Sequence, residues 1–316
     1  MKNQMFKSPL EKVVQDQKLN LILKEIRNRV ARRNRFWIAK EDVCHVRKAF
    51  CSAIELGEKE LYSFAQELIH AMIDCPASFF VEVWGRCPQK RHREIQKNQV
   101  RIQESFDHLR AHCACDSHLA SLYAPICWCG AKTISIASFV KGVAERENTF
   151  GIRMLSTRIK TPASIAYKVT DMLFDIDRMF RRDKILNRYS QILKDMYGIK
   201  IITTDFNALQ KTLEWFKEFH RHEILETKDY LGSKKKKSGF EAYKFIIQRP
   251  HQVIEIQLQT EAMLERETLG FRENHHTYKE KQLRMRAQLG NRYMNVYNTL
   301  QVLLCSRGTY CRDLAV

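Results

Sequence analysis

The sequence predicts an α+β protein: a mixed sheet flanked by helices, with a helical N-terminal extension. Three observations predict it. Apolar residues recur at helical spacing through the first part of the chain, as in Leu61, Phe64, Ala65, Leu68, Ile69 and Met72. From about Ile134 helical and strand-like patterns alternate. Val253–Thr260 alternates strictly, with Ile254, Ile256 and Leu258 pointing one way and Glu255, Gln257 and Gln259 the other. That polar face is either the solvated side of an antiparallel sheet or the floor of a polar site. These patterns divide the 316 residues into a mostly helical, basic extension over 1–130 and a mixed domain over 131–316.

The composition is that of a folded chain, with 44% hydrophobic and 28% charged residues and few Pro or Gly. A formal net charge of +18 favours polyanionic partners: nucleotides, nucleic acid or an anionic surface. Met1 to Lys18 carries no apolar leader pattern, and the longest uncharged apolar run, Leu119 to Ala131, is too short to span a bilayer. A cytoplasmic protein with no membrane partner is expected, and its 10 cysteines are expected to be reduced thiols.

Leu19, Ile22, Ile26 and Val30 mark an amphipathic first helix with Arg29, Arg32, Arg33 and Arg35 at its end. Helices are expected over 41–74 and 91–112, and from Ile136 to Arg146. Cys113, Cys115, His118, Cys127 and Cys129 could hold Zn²⁺, although the Cys-x-Cys spacing is tighter than usual; the alternative is small buried hydrophobes. Phe150 to Lys160 reads as a strand. Thr161-Pro162 then offers a cap and a first-position proline for a helix running through Ile165, Val169, Met172, Leu173, Ile176 and Phe180. Gly198 to Thr203 reads as a strand, and Asp205 caps a helix carrying Leu209, Leu213, Phe216 and Phe219. A loop is expected from Glu226 to Ser238. Tyr243–Gln248 and Val253–Thr260 form a hairpin around Arg249-Pro250, and helices fill the remainder.

Arg158 and Lys160 share one strand face and lead into the helix at Pro162, whose free N–H groups favour anions. Ser164 and Lys168 are four apart, so they project from one side of that helix. Together the four make a phosphate cradle. Asp195 precedes one strand and Glu255 lies on another; such a pair of carboxylates suits Mg²⁺ shared with substrate phosphates. The lysines of Lys234 to Lys237, followed by Gly239 and Phe240, could seat phosphates and stack a base.

In this order, Arg158-x-Lys160-x-x-x-Ser164-x-x-x-Lys168, Asp195-x-x-Gly198-x-Lys200, Asp229-Tyr230 with Gly239-Phe240, Glu255-Ile-Gln-Leu-Gln-Thr260 and His275-x-x-Tyr278-Lys279 resemble the synthetase domain of RelA/SpoT-type alarmone synthetases. The resemblance spans residues 140–285 or so. It implies a nucleotidyltransferase-like mixed sheet and transfer of the β,γ-pyrophosphate of ATP to a 3′-hydroxyl, most simply of GDP or GTP, making (p)ppGpp. It implies that Arg158, Lys160, Ser164 and Lys168 bind ATP, that Asp195 and Glu255 are catalytic and hold Mg²⁺, and that Phe240, Lys244, Gln257, His275, Lys279 and either Lys235 or Lys236 serve the acceptor.

Departures fall mostly on the acceptor half. Phe240 stands at a common Tyr, Lys244 at a His, and Lys200 and Gln259 at arginines; the loop before Gly239 is one residue longer. Arg and Lys are not equivalent at a bidentate phosphate contact. Toxin members of the family suggest the tRNA 3′-end as an alternative acceptor and leave room for an antitoxin partner or a homo-oligomer. A further alternative is an inactive RNA-binding or regulatory member, against which retention of both carboxylates speaks. The His-Asp pair of bifunctional members is not found, so a synthetase-only chain is expected.

Overall fold

The computed structural model describes residues 37–86, 95–102, 134–160, 162–173, 193–232, 240–250, 252–270, 274–304 and 314–315, with parts of 21–28. Trp37–Ile38 (β1) pairs antiparallel with the distant Leu314–Ala315 (β10). Lys40–Met72 forms α1, and its expected apolar stripe is buried. Inside it, a side chain at Gly57 would collide with the hydroxyl of Tyr197. A helix-interior glycine costs up to about 1 kcal/mol relative to alanine; here it allows α1 to lie directly against the sheet.

That sheet has eight strands among the described residues, in the order β3-β2-β4-β5-β6-β9-β8-β7. They are Ala77–Arg86 (β2), Ile95–Ile102 (β3), Ile134–Ala144 (β4), Ile152–Ile159 (β5), Tyr197–Thr203 (β6), Ile224–Asp229 (β7), Tyr243–Gln248 (β8) and Val253–Thr260 (β9). Only the β6–β9 pair is parallel. Strands from both sides of residue 130 thus share one sheet, because β2 pairs with β4. The fold is α+β, with a mixed sheet and flanking helices.

Two expected helices are strands. Ile95–Ile102 lies in the segment read as helix over 91–112, and Ile134–Ala144 covers most of that read from Ile136 to Arg146. β3 pairs with β2 along its whole length, and β4 is hydrogen-bonded on both edges, to β2 and β5. Such pairing overrides a weak helical period, and Ile134, Ile136, Phe139 and Val140 suit a pleated surface. β7 also carries regular structure through Asp229, where a loop is expected from Glu226.

The helices and the other strands follow the pattern. Pro162–Leu173 (α2) starts on its proline; the proposed cap Thr161 and the continuation to Phe180 lie outside the described residues. Phe206–Phe219 (α3) is capped by Asp205, whose carboxylate accepts from Ala208 N at 2.9 Å. Glu261–Gly270 (α4) follows β9 directly. Asn274–Leu304 (α5) is kinked at Gly290, where φ is 58°. One apolar cluster joins α1, α3 and α5 to the inward face of β5, β6, β8 and β9, including Phe64, Ile201, Phe216, Phe245, Ile256 and Tyr293. No helix among the described residues is long and apolar enough to cross a membrane. Cys44 is disulfide-bonded, so the expectation of reduced thiols does not hold at that residue.

A polar anchor ties α2 to α5. Buried Asp171 accepts from Arg286 Nε at 3.0 Å and Nη2 at 2.6 Å, and from the Tyr293 hydroxyl at 2.5 Å. The Arg286 guanidinium lies 4.6 Å from the Tyr167 ring centroid, and Tyr167 stacks on Tyr297 at 3.9 Å. Removing one member leaves a buried charge without its partner. Asp171→Ala is therefore expected to destabilise the protein by about 3–5 kcal/mol, measured by urea unfolding. A loss well under 1 kcal/mol would show that the anchor contributes little.

Candidate active site

The sheet face opposite the core is built by register. Across β5, β6 and β9, Arg158 lies beside Gly198 and Gly198 beside Glu255. In the next row Ser156, Lys200, Gln257, Lys244 and Lys228 follow one another across five strands. Because side chains alternate, all of these project from one face. Lys141 of β4 joins them opposite Ser156.

Gly198 leaves a gap in this floor. A methyl group there would have only the Glu255 carbonyl within 4 Å, at 3.5 Å. The space lies between a guanidinium on one side and a carboxylate on the other. Asp195, on the short 3₁₀ turn Leu193–Asp195 before β6, sits at the same end of the sheet. Its two oxygens are taken by two ammonium groups: Lys160 Nζ bonds Oδ2, and Lys168 Nζ meets Oδ1 at 2.6 Å. The Lys160 N–H is held by the Met196 carbonyl at 2.8 Å, locking the end of β5 to the turn.

Burial, reinforced by Lys168 and opposed by Asp195, brings the Lys160 ammonium down to about 8. Burial works to raise the Asp195 carboxyl, but Lys168 and Lys160 outweigh it and hold it down at about 2. Asp195 is thus a carboxylate at any ordinary pH. Burial lowers Lys200, and Glu267 of α4, 3.0 Å away, opposes it.

The second half of the face carries the acceptor candidates. Lys244 Nζ is 3.1 Å from Glu255 Oε1 and 5.0 Å from the Phe240 ring centroid. Tyr230 meets Phe240 edge-to-face at 6.2 Å. Gln257 donates to Gln259 Oε1 at 2.9 Å. At the β7 edge, Glu226 is shared by Lys194 at 3.2 Å and Lys228 at 2.5 Å. The Lys228 bond chiefly lowers the Glu226 carboxyl.

The structure therefore brings Lys160, Lys168 and Asp195 into direct contact, and Phe240, Lys244, Glu255 and Gln257 onto one patch beside them. Arg158 shares the floor row with Glu255. Ser164 lies in the first turns of α2, and His275 and Lys279 lie in the first turns of α5; their side chains are outside the described residues. Lys235 and Lys236, and the cluster Cys113, Cys115, His118, Cys127 and Cys129, also lie outside them. Among the described residues no group of three or more His, Cys, Asp and Glu is placed to hold a metal ion. Of the two carboxylates expected to hold Mg²⁺, Asp195 has a lysine on each oxygen and Glu255 has Lys244 on Oε1. Sequence reading missed Glu267 and the Glu226–Lys194–Lys228 group. No spacing marks them; only the docking of α4 and the sheet register bring them to the face.

The polar face thus sets a cationic cluster and two carboxylates around the open position at Gly198, where the parallel strands β6 and β9 begin. Residues 157–283 match the model of the region found in RelA / SpoT proteins. Among the curated proteins no match is found. Among solved structures, the chain is similar to small alarmone synthetase 1 from Bacillus subtilis bound to its product pppGpp, at 20% identity and TM-score 0.30, covering 48% of this chain and 73% of that one. It is similar to small alarmone synthetase 2 from Bacillus subtilis at 18% identity and TM-score 0.27, covering 49% and 80%. A GTP pyrophosphokinase family protein from Streptococcus pneumoniae follows at 15% identity and TM-score 0.25, covering 48% and 72%.

Removing the Asp195 charge tests the coupling. Burial and Lys168 would then lower Lys160 unopposed, so its neutral fraction at pH 7 would grow. Asp195→Asn is expected to speed acylation of Lys160 by an amine-reactive reagent at pH 7, read by peptide mass spectrometry. An unchanged or slower rate would contradict the arrangement.

Proposed function

We propose that this protein is an ATP-dependent pyrophosphokinase: the 3′-hydroxyl oxygen of GDP or GTP bonds to the β-phosphorus of ATP, the bond from that phosphorus to the α,β-bridging oxygen breaks, and AMP leaves. The observation that carries this reading is the Lys160–Asp195–Lys168 cluster at the end of a floor row in which Gly198 opens a gap between Arg158 and Glu255. Its setting within a RelA/SpoT region supports the same reading.

In this reading Arg158, Lys160 and Lys168 grip the triphosphate of ATP, with Ser164 beside them. Asp195 and Glu255 would hold Mg²⁺, which supplies charge neutralisation at the phosphates when bound. Glu255 takes the proton of the attacking hydroxyl, for which it must exchange its contact with Lys244 for the acceptor. Phe240 offers a face for the acceptor base, and Lys244, Gln257, His275, Lys279 and the lysine of the 234–237 run serve the same side. Transfer of this kind needs positioning and electrostatic stabilisation rather than covalent help, and preorganised cations provide both. In this reading the catalytic groups all come from 131–316, while α1 buttresses the sheet.

The +18 charge and the Lys234–Lys237 run also suit a tRNA 3′-end as acceptor. Incubation with γ-labelled ATP, Mg²⁺ and either GDP, GTP or deacylated tRNA separates the two. Label on the guanosine nucleotide is expected; label on tRNA alone would move the assignment to the toxin-type reaction, and no transfer to any of them would sink the enzyme reading. Glu255→Gln is expected to lower kcat by at least about a hundredfold with an unchanged melting temperature. Lys168→Ala is expected to raise the KM for ATP about tenfold, since a charged contact to phosphate is lost. Full activity of the first variant would overturn the role given to Glu255.

A further inference from the structure

Glu267 reaches the polar face from α4 and plays no part in the scheme above. Its Oε2 accepts from Lys200 Nζ at 3.0 Å and from Gln259 Nε2 at 3.0 Å. Gln259 Nε2 also donates to the Glu241 carbonyl at 2.8 Å. Both partners of this nitrogen, a carboxylate and a backbone carbonyl, can only accept. The orientation of the Gln259 amide is therefore fixed by chemistry. Gln259 is 0% exposed, so turning the amide over would leave buried groups unsatisfied.

The constraint passes to the next residue. Gln259 Oε1 can only accept, and it meets Gln257 Nε2 at 2.9 Å. Gln257 must therefore turn its N–H toward Gln259, which leaves its own Oε1 as the atom facing away from that bond. Gln257 is half-buried and lies between Lys200 and Lys244 in the sheet register. Lys244 in turn sits over the Phe240 ring. The oxygen is thus part of the patch assigned to the acceptor.

We propose that Glu267 is a positioning residue for the acceptor: through Gln259 it holds Gln257 with its amide oxygen toward the acceptor nucleotide. The pocket then selects an acceptor that donates a hydrogen bond at this point, from the 2-amino group of guanine or the ribose 2′-hydroxyl. This inference rests on the reading of the Phe240–Gln257 patch as the acceptor site.

The test is steady-state transfer from γ-labelled ATP to GDP, 2′-deoxy-GDP and IDP by the full chain and its variants. Glu267→Ala is expected to raise the KM for GDP about tenfold while leaving kcat and the KM for ATP within about twofold. Glu267→Gln is expected to retain the GDP KM within about threefold, because its amide oxygen can take the place of Oε2. Gln257→Leu is expected to match Glu267→Ala, and the double variant to be no worse than either single one. The wild type is expected to discriminate against whichever of 2′-deoxy-GDP and IDP lacks the donor, and Glu267→Ala to lose that discrimination. Additive effects, an equal rise in the KM for ATP, failure of Glu267→Gln to rescue, or equal use of all three acceptors by the wild type would each overturn the inference. Absence of transfer by the wild type would instead overturn the pyrophosphokinase reading itself.

Discussion

The parallel pairing of Tyr197–Thr203 with Val253–Thr260 is the constraint on which the rest depends. Its register sets Gly198 beside Glu255, Lys200 beside Gln257 and Ile202 beside Gln259. A slip of one residue would turn Ile199, Ile201, Ile254 and Ile256 out of the core and the charged groups into it. The apolar face therefore specifies the polar one. The helix α1 lies close enough to enforce this, because Gly57 carries no side chain to meet Tyr197.

On that frame the polar face keeps its charges in balanced groups. Asp195 is held by Lys160 and Lys168, Glu255 by Lys244, Glu226 by Lys194 and Lys228, and Glu267 by Lys200. Partly buried cations held by partly buried carboxylates do not have to be gathered when an anionic ligand arrives. They are already oriented, so little reorganisation is needed on binding or in a transition state. The depression of Lys160 by burial shows the cost of that arrangement, and Asp195 is what keeps the cluster charged.

Much of this was legible along the chain. Strict alternation in Val253–Thr260 announced a strand with a polar face, and Pro162 and Asp205 announced the helix starts that are observed. The spacing of Arg158, Lys160 and Lys168 announced a cationic cluster, and the order of motifs announced the RelA/SpoT resemblance that residues 157–283 bear out. The strands Ile95–Ile102 and Ile134–Ala144 were not legible, because their state follows from hydrogen bonding to β2, which lies far off in sequence from β4. Glu267 was not legible either: it lies in a helix of little amphipathic character, and its importance follows from where α4 packs.

By itself, then, the sequence determined which residues could form a basic phosphate cradle and which strand carries a carboxylate on a polar face, because those properties depend on near neighbours and on the period of a strand or helix. Only the tertiary structure decided that Asp195 lies between two lysines, that Gly198 opens the floor beside Glu255, and that Gln259, fully buried, is bonded to Glu267 and to the Glu241 backbone. Those facts depend on strand register and helix docking, which join residues separated by tens of positions and which no local pattern records. The strand at Val253–Thr260 shows both at once: its alternation could be read directly, but what its polar side faces was set by the strands and the helix packed around it.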